Sequence, residues 1–225
     1  MIKATRKPIE EILDCVRNYN RILVIGCGGC VSVCFAGGQP EVRELTTDLE
    51  YRSGSRDEVR SVNGYTVERQ CNSQFLSGLD DLSNGCDCLL SMACGAGVQF
   101  LAERYPGKPV YPAVNTVFIG IDRAPGLYEE KCRACGECVL AYTAGICPVT
   151  RCAKSLFNGP CGGTNKGSCE IHKDQPCAWF MIYERLCKQN RLENIMKIKE
   201  PNDWSNQVPR TTIQPGYQEK KALNV

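Results

Sequence analysis

Histidine is nearly absent from this 225-residue chain, with His172 the only one. That excludes a metal or catalytic centre built on several imidazoles, and it weakens any zinc finger that mixes cysteine with histidine. A Ser/His/Asp arrangement would rest on that one residue, and no pattern places a carboxylate pair. Long apolar runs are missing as well. No stretch of about 18 apolar residues occurs, so no membrane span is expected. The opening MIKATRKPIEEILDC carries acidic residues where a secretory leader needs an apolar run, and we read the chain as cytoplasmic. The net charge is only +2 with both signs interspersed, so no basic surface is offered to nucleic acid.

Cysteine is what the chain has, at 17 residues. In a reducing cytoplasm these are not disulfides, and the odd number argues against a fully paired framework. A chain of this length can bury a core without such cross-links. Closely spaced thiolates instead select zinc or iron–sulfur clusters.

The first half alternates helix and strand patterns. Ile9, Ile12, Leu13 and Val16 fall at helical spacing after Pro8. RILVI (21–25) reads as a buried strand, followed by a glycine-rich turn and a helix over 30–37, with Gly37, Gly38 and Pro40 as punctuation. Residues 41–60 read as helix and then loop. YTVERQC reads as a strand ending at Cys71, FLSGLDDL as a short helix and DCLLSMAC as a strand ending at Cys94. A helix to Tyr105 follows, and then a strand over 108–114. The fold class expected is therefore α/β: a small Rossmann-like parallel sheet, taken as residues 1–125. From about residue 126 strands are not expected, and an irregular cysteine-rich domain with a terminal helix at 176–195 fills residues 126–198. Residues 199–225 read as an extended arm.

The sharpest local signal is CRACGEC, which sets Cys132, Cys135 and Cys138 at C-x2-C-x2-C spacing ahead of Cys147-Pro148. Bacterial ferredoxins use this spacing to wrap a cube in one tight loop. Here the last gap is eight residues long, so Cys147, Cys152, Cys161, Cys169 and Cys177 all remain candidates for the fourth ligand. Eight thiols between residues 132 and 177 suit two four-ligand sites, one cluster plus a tetrathiolate zinc, or one cluster plus structural thiols.

The second signal is GCGGCVSVC, residues 26–34. A dinucleotide fingerprint would need a third glycine where Val31 stands. A glycine-rich turn opening a helix also suits an anionic cluster, which gains from N–H donors and the helix dipole. Cys27, Cys30 and Cys34 are the expected ligands. Cys94 is the expected fourth, because it repeats the strand–Cys–Gly–helix order, and Cys71 is its rival. Cys86 and Cys88 read as free thiols, Cys15 and Cys187 as helix core residues, and His172 as a surface residue beside the metal loop. Trp179, Phe180 and Tyr183 read as core or interface packing.

GCGGC-x3-C-x2-GGQPEV, CRACGEC, CPVTRCAKSLFNGPCGG, GSCE and PCAWFMIYERL together resemble the methylenetetrahydrofolate reductase C-terminal domain family, in the form of its MetV-type stand-alone subunits. The resemblance covers about residues 8–198. It implies a non-catalytic accessory subunit carrying two [4Fe–4S] clusters, or three, and a structural zinc as a further candidate. The flavin would sit in a separate TIM-barrel catalytic subunit, and a ferredoxin or an upstream oxidoreductase subunit would donate the electrons. A zinc-stapled docking scaffold, and an electron-transfer subunit of a heterodisulfide-reductase-type assembly, are the competing readings.

Overall fold

The computed structural model describes residues 1–53, 61–209 and 211–213. The chain divides into two compact units, Met1–Lys131 and Cys132–Val225.

The first unit is organised by β2 (Arg21–Cys27), which is buried from Ile22 to Cys27. It pairs in parallel with β3 (Ser61–Val67) on one side and β4 (Cys88–Ser91) on the other. β4 pairs in parallel with β5 (Val110–Pro112), giving the order β3-β2-β4-β5. A parallel strand covered on both faces is a continuous apolar run, which is why RILVI shows no alternation. Ile22 and Val24 pack with Ile12 and Val16 of α1 (Ile9–Val16) and with Val42, Leu45 and Leu49 of α3 (Gln39–Ser53). Leu23 and Ile25 point the other way and pack with Leu76, Leu79 and Leu101, the last on α5 (Gly95–Arg104). The chain leaves β2 for β3 on one flank and then crosses to β4 on the other. β2 is thus the topological switch point, where open α/β sheets hold their ligands.

Several elements depart from the sequence expectation. The helix after the glycine turn is a single turn, α2 (Cys30–Val33), and not the run to residue 37. The hydroxyl of Ser32 donates to the carbonyls of Gly28 and Gly29, and Phe35 takes a left-handed backbone (φ 52°) that stops the helix. α3 then starts at Gln39, so Pro40 lies in its first turn, where a missing N–H costs nothing. The loop expected before residue 60 includes residues 54–60, which lie outside the described residues. β3 ends at Val67, opposite Cys27, and so Cys71 lies beyond the strand.

A second sheet was not anticipated. β1 (Ile2–Arg6) pairs antiparallel with β6 (Val114–Ala124), and β7 (Leu127–Cys132) completes the order β1-β6-β7. β7 corrects the expectation that strands end near residue 126. The turn between β6 and β7 is Pro125-Gly126, with Gly126 at φ 82°, a conformation open to glycine at no steric cost.

The second unit has little regular structure: α6 (Pro148–Arg151), α7 (Ala178–Lys188) and short 3-10 turns. Its core is Ala144, Ile146, Trp179, Ile182 and Leu186, with Cys152 and Cys177 packed at the edge. The indole N–H of Trp179 donates to the Leu156 carbonyl at 2.7 Å. Cys187, expected in a core, is exposed on the outer face of α7. Of the expected arm, residues 203–207 fold back within this unit, and residues 214–225 lie outside the described residues. No helix among the described residues is long and apolar enough to cross a membrane.

Candidate metal centres

Three cysteines collect at the carboxyl ends of three neighbouring parallel strands. Cys27 is the last residue of β2, Cys71 lies four residues past β3, and Cys94 is the N-cap residue of α5, three residues past β4. Burial pushes the Cys27 thiol above its ordinary range, and the Cys71 and Cys94 sulfurs push the same way. The backbone N–H groups of Gln70 and Gly29 pull the other way. Cys30 begins α2, three residues after Cys27, and is exposed. Cys34 has a different setting. Its buried sulfur accepts from the Ala4 N–H at 3.3 Å and donates to the Ala4 or Val31 carbonyl at 3.5 Å, so it faces β1.

Gln70 fastens these strand ends together. Its side chain is fully buried. Its Nε2 donates to the Ile25 carbonyl at 2.8 Å and the Gly26 carbonyl at 3.0 Å, and its Oε1 accepts from the Ser91 hydroxyl at 2.6 Å. One side chain thus ties the segment after β3 to β2 and β4. Sequence reasoning missed it, because a glutamine between Arg69 and Cys71 carries no mark of burial. The glycines around it permit close approach. A Cβ on Gly37 would lie 1.9 Å from the Met92 carbonyl oxygen, and one on Gly26 would lie 2.5 Å from Val42. The N–H groups that would cradle a phosphate are already used: Cys27 N donates to the Gly37 carbonyl and Gly28 N to the Val67 carbonyl.

In the second unit the CRACGEC loop turns twice in a few residues, with Ala134 at φ 51° and Gly136 at φ 89°. The Ala134 N–H donates to the Cys132 sulfur at 3.3 Å, an amide-to-sulfur bond of the kind that stabilises a ligating thiolate. Cys132 and Cys138 are exposed, and Cys135 is half-buried. The Asn206 amide donates to the Ala134 carbonyl, and a Cβ on Gly136 would meet the Asn206 Cβ at 2.8 Å. Residues of the arm therefore rest on the loop. Cys147 is half-buried and caps α6 directly before Pro148.

Four further thiols of this unit line one small cavity. Cys152, Cys161, Cys169 and Cys177 surround a space of about 20 Å³ beside Trp179. A hairpin turn brings the later pair together. Asn165 and Ser168 exchange backbone bonds around Lys166 and Gly167, both at positive φ, and Cys177 N donates to the Gly167 carbonyl at 2.7 Å. Glu170 accepts from the Cys161 thiol at 3.2 Å and pairs with Lys154. His172 is exposed, and Phe180 packs on Gly167.

Cys86 and Cys88 are both buried, and Cys86 donates to the Ser83 carbonyl at 3.2 Å. Among the described residues, no group of three or more His, Cys, Asp or Glu side chains is closed around a position where a metal ion could sit. Closure of a thiolate site is coupled to metal binding, because ligation must first remove the thiol protons.

The model of the family described as methylene-tetrahydrofolate reductase C terminal matches residues 111–205, a span that holds both C-terminal cysteine groups and excludes the residues around Cys27. No curated protein and no solved structure matches the chain.

Proposed function

We propose that the chain is an electron-transfer accessory subunit of a methylenetetrahydrofolate reductase complex, of the MetV type, working in the reducing cytoplasm. The observation that carries this reading is the match over residues 111–205 to a domain of that reductase, laid over a ferredoxin-spaced loop with an amide already aimed at Cys132. Among the described residues both sheets are open and neither is an eight-stranded barrel, and in this reading a partner subunit carries the flavin in its barrel.

The donor chemistry divides the second unit. The four thiols at the small cavity suit a single zinc ion, since the space has room for about one water-sized body. Zinc takes four thiolates at about 2.3 Å in a closed structural site. That leaves Cys132, Cys135 and Cys138 for a [4Fe–4S] cluster, with Cys147 before Pro148 as the fourth ligand. Such a cluster, when bound, supplies one-electron chemistry at low potential. The protein's part is to hold the thiolates, aim amides at sulfur, and shield one side with the segment around Asn206. Conversion of the methylene to the methyl form of the folate takes two electrons and two protons on the partner. The donor is a ferredoxin or an upstream oxidoreductase subunit.

The test is purification of the complex from its source under anaerobic conditions. A flavin-containing subunit is expected to co-purify, and reduced ferredoxin is expected to bleach its flavin only when this chain is present. A chain that travels without any flavoprotein, or flavin reduction that proceeds equally without it, refutes the reading.

A further inference from the structure

We infer that residues 203–208 form a strap across the CRACGEC loop, and that Asn206 is the residue that positions the loop's middle thiol, Cys135. The inference deepens the reading of that loop and rests on it for what the thiol does. The strap itself stands on contacts within the second unit.

The loop holds a shape that Ala134 resists. That residue sits at φ 51°, where an L side chain crowds the backbone, and Gly136 follows at φ 89°. Left-handed residues thus stand on both sides of Cys135, and Asn206 touches both of them. Its Nδ2 donates to the Ala134 carbonyl, and a Cβ on Gly136 would lie 2.8 Å from the Asn206 Cβ. Gln207 Nε2 reaches the same carbonyl at 3.5 Å.

The strap is a preformed turn. Asp203 Oδ1 accepts from Ser205 N at 2.8 Å. Gln207 N donates to the Trp204 carbonyl at 2.8 Å, and Val208 N donates to the Ser205 carbonyl at 3.1 Å. It is also a costly turn. Trp204 takes φ 55°, and the Oδ1 of Asn206 is buried with no hydrogen-bond partner among the described residues. A left-handed alanine, a left-handed tryptophan and an unpaired oxygen therefore gather at one contact. Such features collect at clamps and switches, where the surroundings over-determine them. With the strap seated, Cys135 is half-buried between two held neighbours. With it lifted, Ala134 returns to the ordinary φ range and the loop loses its double turn. Access to the middle thiol is thus governed by a side chain 72 positions away.

The full chain, reduced and stripped of metal with a chelator, is alkylated with iodoacetamide and read by mass spectrometry. The variants are Asn206→Ala, Asn206→Asp, and Asn206→Ala combined with Ala134→Gly. Loss of the amide donor should speed labelling of Cys135 about fivefold, the ratio that one hydrogen bond supports. Cys132 and Cys138, exposed already, should keep their wild-type rates, and so should Cys152 and Cys177 at the edge of the unit's core. Asn206→Asp keeps the shape and loses the donor, so it should match Asn206→Ala. Ala134→Gly removes the steric cost of the left-handed turn and should restore most of the wild-type rate. Equal Cys135 rates in wild type and Asn206→Ala, a wild-type rate in Asn206→Asp, no rescue by Ala134→Gly, or an acceleration shared by Cys152 and Cys177 each overturns the strap. A second measurement reads the contact from the other side. Gly136→Ala drives a methyl group into Asn206, so hydrogen exchange of residues 203–208 should rise while that of α7 stays at its wild-type level. Unchanged exchange in the strap is a refutation. Both measurements are made without metal. Their failure removes the strap and leaves the relay reading standing, and a chain that relays no electrons still shows the strap.

Discussion

Gln70→Leu removes the strut beneath the three strand ends at nearly constant volume. Three hydrogen bonds disappear, to the carbonyls of Ile25 and Gly26 and from the hydroxyl of Ser91. The Ile25 carbonyl keeps its bond from Met92 N, and Ser91 still accepts from Ala93 N. The cost is therefore about 1 kcal/mol for each lost bond, with the stranded Ser91 hydroxyl raising the total to about 4 kcal/mol. In a unit of this size that lowers the melting temperature by roughly 10 °C or more. Gln70→Glu should do worse at neutral pH, because it sets a carboxylate oxygen against two carbonyls. Burial and those carbonyls raise the new acid's pKa in the folded state, so the extra penalty is present at neutral pH and fades as pH falls toward about 4. Adding Ser91→Ala to Gln70→Leu removes the stranded hydroxyl but also strips the buried Ala93 N–H of its acceptor, so the two changes offset and the double variant should match the single within about 1 kcal/mol. Urea titration of the full chain by far-ultraviolet circular dichroism reads all three variants. A Gln70→Leu midpoint equal to the wild type would refute the idea that this amide fastens the carboxyl edge of the sheet.

Gly37→Ala places a Cβ 1.9 Å from the Met92 carbonyl oxygen and should cost about 3 kcal/mol, whereas Gly107→Ala, with open space around it, should leave the urea midpoint unchanged. Asp87 accepts from the guanidinium and backbone N–H of Arg21, and these hold its carboxyl below the usual aspartate range. Its contribution is present above about pH 4 and lost as pH falls through the lower folded value, so Asp87→Asn should flatten the acid limb of the stability curve. On the proposed tetrathiolate site, Cys177→Ser should abolish zinc binding and raise hydrogen exchange across α7, because ligation would add closure energy to the small core around Trp179. Zinc content and exchange that stay at wild-type levels would contradict the tetrathiolate assignment.

How much of this was readable in the amino acids depends on how far apart the cooperating residues lie. CRACGEC is legible because covalent spacing alone confines its three thiols to one turn. The strand at RILVI and the cap at Cys94 are legible because an apolar run meets glycine at a helix start, a local event. Cys71 and Cys34 were not separable in this way. YTVERQC alternates well enough to extend a strand to Cys71. Where β3 stops is decided by its partner, since β2 runs out at Cys27 opposite Val67. Likewise nothing in the helix propensity of Phe35 announces a left-handed residue. The turn that follows, and the seat of Cys34 against β1, depend on Ala4, thirty positions away. The β6–β7 hairpin is the opposite case. Pro125-Gly126 between β-branched and aromatic segments is a legible turn signal, overshadowed by the rise in cysteine that begins beside it. The small cavity among Cys152, Cys161, Cys169 and Cys177 depends on a Lys166-Gly167 turn and on α7 packing through Trp179. Counting thiols supplies a number of sites, but only the register of strands and the hands of turns decide which sulfurs share one.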